Sequence, residues 1–161
     1  MEASGTGNMK FALNGALTIG TLDGANIEIL EHVGADNIFI FGMKADEVLA
    51  QRAKGLDASA CIKACDPLRQ AIESIETGAF SPEDRNLYQP IAHALRHLDH
   101  YMVSNDFESY FGMQRSIDRL WGSREWKLAS ILNTARMAWF SADRTIREYA
   151  EDVWKVRTLD S

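Results

Sequence analysis

Only two stretches of this 161-residue chain read as β-strands, Leu17–Thr21 and Asn37–Gly42, and every other periodic stretch has the period of a helix. That scarcity is the strongest constraint on the fold, because two strands cannot form a self-standing sheet whatever helices cover them. Between them, Ala25 to Glu31 reads as a helix after an Asp23-Gly24 turn, so the opening order is helix, strand, helix, strand. Asn37-Ile38-Phe39-Ile40-Phe41-Gly42 is a compact apolar run of the kind found in parallel strands buried on both faces. The expected fold is α/β but predominantly helical, a few short parallel strands followed by a helical region. It reads as the closing part of a larger parallel-sheet domain, with Met1 an expression start or an incidental one.

The remainder is helical. Lys44–Lys54 and Ile62–Ile75 have helical patterns, and Thr77-Gly78 with Ser81-Pro82 marks a turn. The expected division is an α/β part, residues 1–80, and an all-helical part, residues 81–161. In the second part Leu87, Ile91, Leu95, Leu98 and Met102 recur at helical spacing and predict one inward stripe on one helix. Tyr110, Met113, Ile117 and Leu120 predict another, and Ile131, Ala135 and Ala138 a third. Ser141 is a good N-cap for a last helix that would carry Ile146, Tyr149, Val153 and Val156 inward. Trp121, Trp126, Trp139 and Trp154 fall on such stripes and read as core or interface.

A net charge of −6 and the lack of a basic stripe exclude a general nucleic-acid surface, which must neutralise phosphates. No window is apolar for the roughly 18 residues a membrane helix needs, and Met1-Glu2-Ala3-Ser4 lacks the regions of a signal peptide, so no membrane partner and a cytoplasmic location are expected. Cys61 and Cys65 are four apart and find no further ligand in register. His93, His97 and His100 share a helical face opposite the Leu87-to-Met102 stripe and read as a solvated cluster. No metal site is expected.

The chemistry concentrates near the start. Glycines at 5 and 7 let a backbone approach an anion closely, and the amides of a following helix point at it with the positive end of the dipole. Thr6 adds a hydroxyl. Lys10 lies four residues further on, the same face of a helix as Thr6 and about 6 Å along the axis. That spacing suits a ligand with a phosphate at one end and an aldehyde at the other. A dinucleotide fingerprint needs a preceding strand and a third glycine, and position 10 is Lys instead. By themselves a Gly-x-Gly and a lysine are most often an ordinary turn and a solvated cation, and the alternative to an enzyme is a non-catalytic α/β module that binds a phosphate-bearing ligand or complements another chain.

The run Glu2-Ala3-Ser4-Gly5-Thr6-Gly7-Asn8-Met9-Lys10-Phe11 resembles the pyridoxal-phosphate lysine signature of the glycogen/starch (α-glucan) phosphorylases. Thr21-Leu22-Asp23-Gly24-Ala25-Asn26-Ile27-Glu28, Phe39-Ile40-Phe41-Gly42 and the stretch from Phe140 to Ala150 are similar to the same family, in its order. The resemblance implies the C-terminal portion of the cofactor-binding, C-terminal domain of a glycosyltransferase-B (Rossmann-like) enzyme, spanning residues 1–161. It implies a Schiff base between Lys10 and pyridoxal 5'-phosphate, with Thr6 and the Gly7 amide on the cofactor phosphate. Glu2 and the amides of Ser4 and Gly5 would hold hydroxyls of the transferred glucose. It further implies α-glucan and phosphate as substrates, glucose 1-phosphate as product, allosteric control and a homo-oligomer. The family's other phosphate-binding cations and its N-terminal domain lie upstream, so the chain alone is expected to be inactive. The last helix is expected to reach back to that domain, and the Glu2-to-Gly7 loop to be poorly ordered.

Overall fold

The computed structural model describes residues 5–55 and 57–157; the expectations for Glu2 and Ser4 therefore lie outside the described residues. In chain order the elements are α1 (Thr6–Leu13), β1 (Ile19–Gly20), α2 (Ala25–Val33), a 3-10 turn (Ala35–Asn37), β2 (Phe39–Ile40), α3 (Ala45–Lys54), α4 (Ser59–Ala64) and α5 (Asp66–Glu76). Then follow α6 (Gln89–His93), a π-helical turn (Ala94–Leu98), α7 (Val103–Leu120), α8 (Arg124–Arg136), a second 3-10 turn (Met137–Phe140), α9 (Ala142–Glu148) and a second π-helical turn (Tyr149–Trp154). The fold is mostly helical with two short parallel strands. Two compact units result, residues 1–39 with 120–161, and residues 40–119.

In the first unit Phe39 N–H donates to the Thr18 carbonyl at 2.9 Å and starts the strand pair. Both strands are shorter than the apolar runs that announce them. Asn37 is drawn into the 3-10 turn, where its side-chain amide donates to the Val33 carbonyl at 2.8 Å, and Gly42 leaves the β region at φ 77°. Helix α1 packs on α8 and on the turn Met137–Phe140, and α2 packs on the same pair. The buried hydrophobic residues are Ala12, Ile29, Val33, Ile38, Ala129, Met137 and Ala150, joined by the buried Asn26, Asn37 and Asn133.

On α8 the inward face is Ala129, Asn133 and Met137, and Ile131, one of the expected stripe, is 65% exposed. The reason is Asn133, which is fully buried: its side-chain amide donates to the Asn37 carbonyl and to the Ala129 carbonyl, at 2.8 and 2.9 Å. A polar residue that satisfies backbone groups outcompetes the hydrophobic stripe for the contact. In the last segment Ser141 does cap α9, accepting from Arg144 N–H. Ile146, Tyr149, Val153 and Val156 point outward, against the expectation, because the segment turns Ala150 inward instead. Trp121, Trp139 and Trp154 are exposed as well.

The second unit has a contiguous apolar core of Ala58, Ile62, Cys65, Leu68, Ile72 and Ala92, with Ile75, Leu95 and Phe107 packed against it. Each fully buried Ile or Leu there contributes about 1.5–3 kcal/mol. The expected helix from Ile62 to Ile75 is two helices. Pro67 has no N–H and its ring clashes with the carbonyl of a preceding turn, so it is accommodated in the first turn of a new helix, after an extended Cys65. Helix α5 then places Leu68 and Ile72 on one face, while Arg69 pairs with Asp66 at 2.8 Å and Glu73 at 3.1 Å on the outer one. Cys61 Sγ lies 3.2 Å from Asn105 Oδ1, and burial together with the Asp99 carboxylate pushes its thiol up from its ordinary pKa.

The expected helix from Leu87 to Met102 is interrupted. After α6 and the π-helical turn the chain reverses through Asp99, φ 22°, and Met102, φ 59°, before α7 begins. The buried Asp99 carboxylate accepts from Ser104 N–H at 3.1 Å and from Asn105 Nδ2 at 2.9 Å. Asp99 thus uses its side chain to cap the next helix rather than extend the previous one. Leu87, Ile91 and Leu98 are consequently exposed, and Ala92 and Met102 are the buried positions. His93, His97 and His100 are exposed, as read from the sequence. Loop Gly42–Lys44 is held by α7: Gly42 N–H donates to Ser109 Oγ at 3.0 Å and Met43 N–H to Asp106 at 2.9 Å. A Cβ at Gly42 would come within 2.7 Å of that carboxyl.

Candidate functional site

The site is built at the start of α1, within the first unit. Gly5 is the N-cap in the left-handed conformation, φ 61° and ψ 3°, which only glycine adopts without strain. Its carbonyl accepts from Met9 N–H at 3.2 Å, closing the first helical turn. Gly5 has no side chain with which to cap the amides of that turn. A helix leaves its first amides without intrahelical partners, and together with the dipole they form an anion-binding end.

Thr6, Gly7 and Lys10 are all exposed and all on α1, and Gly5 is buried beneath them. The i, i+4 relation of Thr6 and Lys10 puts hydroxyl and amine on one face. Among the described residues, a Cβ built on Gly7 would meet nothing within 4 Å, so there is open space beside its Cα. A helix start with a glycine N-cap and an exposed hydroxyl and lysine on one face is a donor set that fits a phosphorylated aldehyde. Of the sequence-derived candidates, the structure brings together Gly5, Thr6, Gly7 and Lys10, and Glu2 and Ser4 lie outside the described residues.

Sequence reasoning missed what holds α1 in place. Asn8 Nδ2 donates to Asn26 Oδ1 at 3.1 Å, and beyond the helix Ser130 Oγ donates to the Gly15 carbonyl at 2.7 Å. The only sequence signal for the first contact is a lone Asn within the α2 pattern, an unfavourable interior choice unless its amide has work elsewhere. Elsewhere in the molecule, no group of three His, Cys, Asp or Glu among the described residues could hold a metal ion, and no helix among them is long and apolar enough to cross a membrane.

A family model described as carbohydrate phosphorylase matches residues 1–156. The chain is 47% identical over 160 residues to the brain form of glycogen phosphorylase from Mus musculus, covering 99% of this chain and 19% of that protein. It is 47% identical over 161 residues to a glycogen phosphorylase of Chlamydia pneumoniae and 49% identical over 159 residues to one of Haemophilus influenzae, with 98% of this chain and 19% of the relative covered in each case. The chain thus spans about a fifth of the length of these relatives. With a match over nearly all of its length, the chain belongs to the carbohydrate phosphorylase family.

Proposed function

We propose that the chain is the C-terminal portion of the cofactor-binding domain of an α-1,4-glucan phosphorylase of glycosyltransferase-B architecture, with pyridoxal 5'-phosphate held on α1. The observation that carries this reading is the start of α1 after the left-handed Gly5 N-cap, with Thr6, Gly7 and Lys10 exposed on it. The Thr6 hydroxyl and Gly7 N–H hold the cofactor phosphate, and the Lys10 amine holds its aldehyde. Glu2 and the amides of Ser4 and Gly5 hold the glucose hydroxyls. When bound, the cofactor supplies a phosphate that exchanges a proton with the substrate phosphate, since two adjacent phosphates raise one another's pKa.

What this chain contributes is position and a partial positive field. Lys10 is exposed here, so its selectivity for the cofactor aldehyde comes from the phosphate anchored one turn away at Thr6 and Gly7 rather than from burial of the amine. The remaining cations, and the sugar-facing wall of the other domain, belong to the part of the relatives that this chain does not match. Residues 1–80 supply the strand-bearing part and residues 81–161 the helical part of the same portion. The full enzyme is cytoplasmic, acts on glycogen or maltodextrin with phosphate, and assembles as a homo-oligomer.

The test is to incubate the chain with pyridoxal 5'-phosphate, reduce with borohydride, map the labelled lysines, and assay release of glucose 1-phosphate from glycogen and phosphate in parallel. The expected result is label enriched on Lys10 with no turnover above a Lys10→Ala control. Label spread evenly over the surface lysines overturns the cofactor assignment. Turnover by the chain alone overturns the reading that the remaining cations lie outside this chain.

A further inference from the structure

We propose that Asn26 is a positioning residue for the Lys10 site: its side-chain amide fixes the N-terminal half of α1, and with it the direction in which Thr6, Gly7 and Lys10 face. The proposal rests on the cofactor reading above. Asn26 is 5% exposed and its amide is engaged at both ends. Oδ1 accepts from Asn8 Nδ2 at 3.1 Å, and Nδ2 donates to the Thr21 carbonyl at 3.0 Å. Thr21 is itself held, its hydroxyl donating to Asp23 Oδ1 at 2.8 Å.

Asn8 sits between Gly7 and Lys10, so this bond ties the ligand-bearing turn of α1 to the first turn of α2, and through the Thr21 carbonyl to the loop that leaves β1. The other end of the helix has a separate anchor, Ser130 Oγ donating to the Gly15 carbonyl at 2.7 Å, and the body of α1 packs on α8 and on Met137–Phe140. Asn26 adds a hydrogen-bonded restraint at the end that faces the ligand.

The backbone around Asn26 is shaped to admit its amide. A Cβ on Gly20, in β1, would come within 2.4 Å of Asn26 Nδ2. The asparagine cannot yield easily, because swinging away would strand both of its hydrogen bonds in a buried site. Aspartate cannot replace it, since it lacks the donor and sets a charge against the Thr21 carbonyl. Asn26→Ala removes the tie, and Gly20→Ala displaces it while keeping every hydrogen-bonding group.

The experiment compares wild-type chain with Asn26→Ala, Gly20→Ala, Asn8→Ala and the Asn8→Ala/Asn26→Ala double variant. Two quantities are read: amide hydrogen exchange in α1, and the fraction of borohydride-fixed pyridoxal 5'-phosphate carried by Lys10 across a pH series. Loss of the tie is expected to speed exchange at Met9 and Lys10 roughly tenfold, the equivalent of one hydrogen bond, with α8 protection unchanged. The Lys10 share of label falls toward that of Lys44, Lys54 and Lys127, and the double variant loses no more than either single one. A role in bulk stability alone would leave that share and its pH profile unmoved.

Asn26→Ala with wild-type α1 protection and wild-type Lys10 selectivity overturns the proposal. If wild-type label is itself spread over all lysines, the cofactor reading fails separately, and exchange in α1 still decides whether Asn26 anchors the helix. If Asn26→Ala also loses α8 protection it has unfolded the unit, and Gly20→Ala then decides in the same way.

Discussion

Arg144 lies flat over Trp139, its guanidinium carbon 3.6 Å from the ring centroid, and its Nε donates to the carbonyl of the same tryptophan. His32 from α2 stacks on that ring at 4.4 Å, so the junction between α8 and α9 is pinned to α2 through one half-exposed indole. Arginine suits this place because a planar guanidinium stacks and donates at once, which an ammonium does not. Arg144→Lys is expected to lower stability by about 0.5–1 kcal/mol, the range for a partly exposed cation–π contact. Urea unfolding followed by tryptophan fluorescence checks it, with a lower midpoint and an unchanged slope as the expected result.

Asn133 predicts a larger effect. Asn133→Leu keeps the branching of the side chain but is bulkier and removes both donated hydrogen bonds, leaving the Asn37 carbonyl beside the strand without its partner. The expected loss is about 1–3 kcal/mol. Thermal unfolding by circular dichroism measures it, and an unchanged midpoint would show that the apolar side chain compensates fully.

Glu76 gives the acid dependence a sign. Arg96 holds the Glu76 carboxyl below its ordinary range through a two-pronged hydrogen bond, one arm of which is 2.8 Å. Its folded pKa is below its unfolded one. The stabilisation is therefore present above the unfolded value and disappears as pH falls through the folded one. Glu76→Gln is expected to cost about 0.5–1 kcal/mol at pH 7, as for a partly exposed pair, and to converge on wild type near pH 3. Unfolding midpoints across pH 3 to 7 are the measurement, and parallel curves for the two proteins would contradict the assignment.

The outward-facing Ile146, Tyr149, Val153 and Trp154, with Trp139 nearby in sequence, form an apolar surface of the kind that associates. Concentration-dependent self-association is expected. Light scattering over a hundredfold dilution series reads it, and the Ile146→Glu/Val153→Glu variant is expected to remain monomeric throughout.

Much of the local structure could be read directly. The start of α2 after Asp23-Gly24, helix α3 and the Ser141 cap depend on neighbours within a few residues, and period and capping chemistry describe those neighbours well. The same holds for Thr6 and Lys10, whose common face follows from their spacing alone. Where long-range polar contacts decide, periodicity misleads. Asp99 sits in the middle of a regular apolar repeat, yet its carboxylate prefers the amides of Ser104 and Asn105 to a place on an exposed helix face. Asn133 and Asn26 look like solvated positions in a pattern, and both are buried: Asn133 donates to the distant Asn37 carbonyl, and Asn26 accepts from the Asn8 amide while donating to the nearby Thr21 carbonyl. The outward turn of the last segment is invisible for a different reason: an apolar stripe states that something should cover it, not what.

The raised pKa of Cys61 carries a practical consequence for anyone attaching probes to this molecule. Alkylating reagents consume thiolate, and a thiol that burial and a nearby carboxylate keep protonated offers little of it at neutral pH. Cys65 is shielded outright, with 8% of its surface open. A single cysteine introduced on an exposed helix face would therefore outpace both natural ones with a maleimide dye, and a fluorophore or spin label could be installed without first deleting either sulfur.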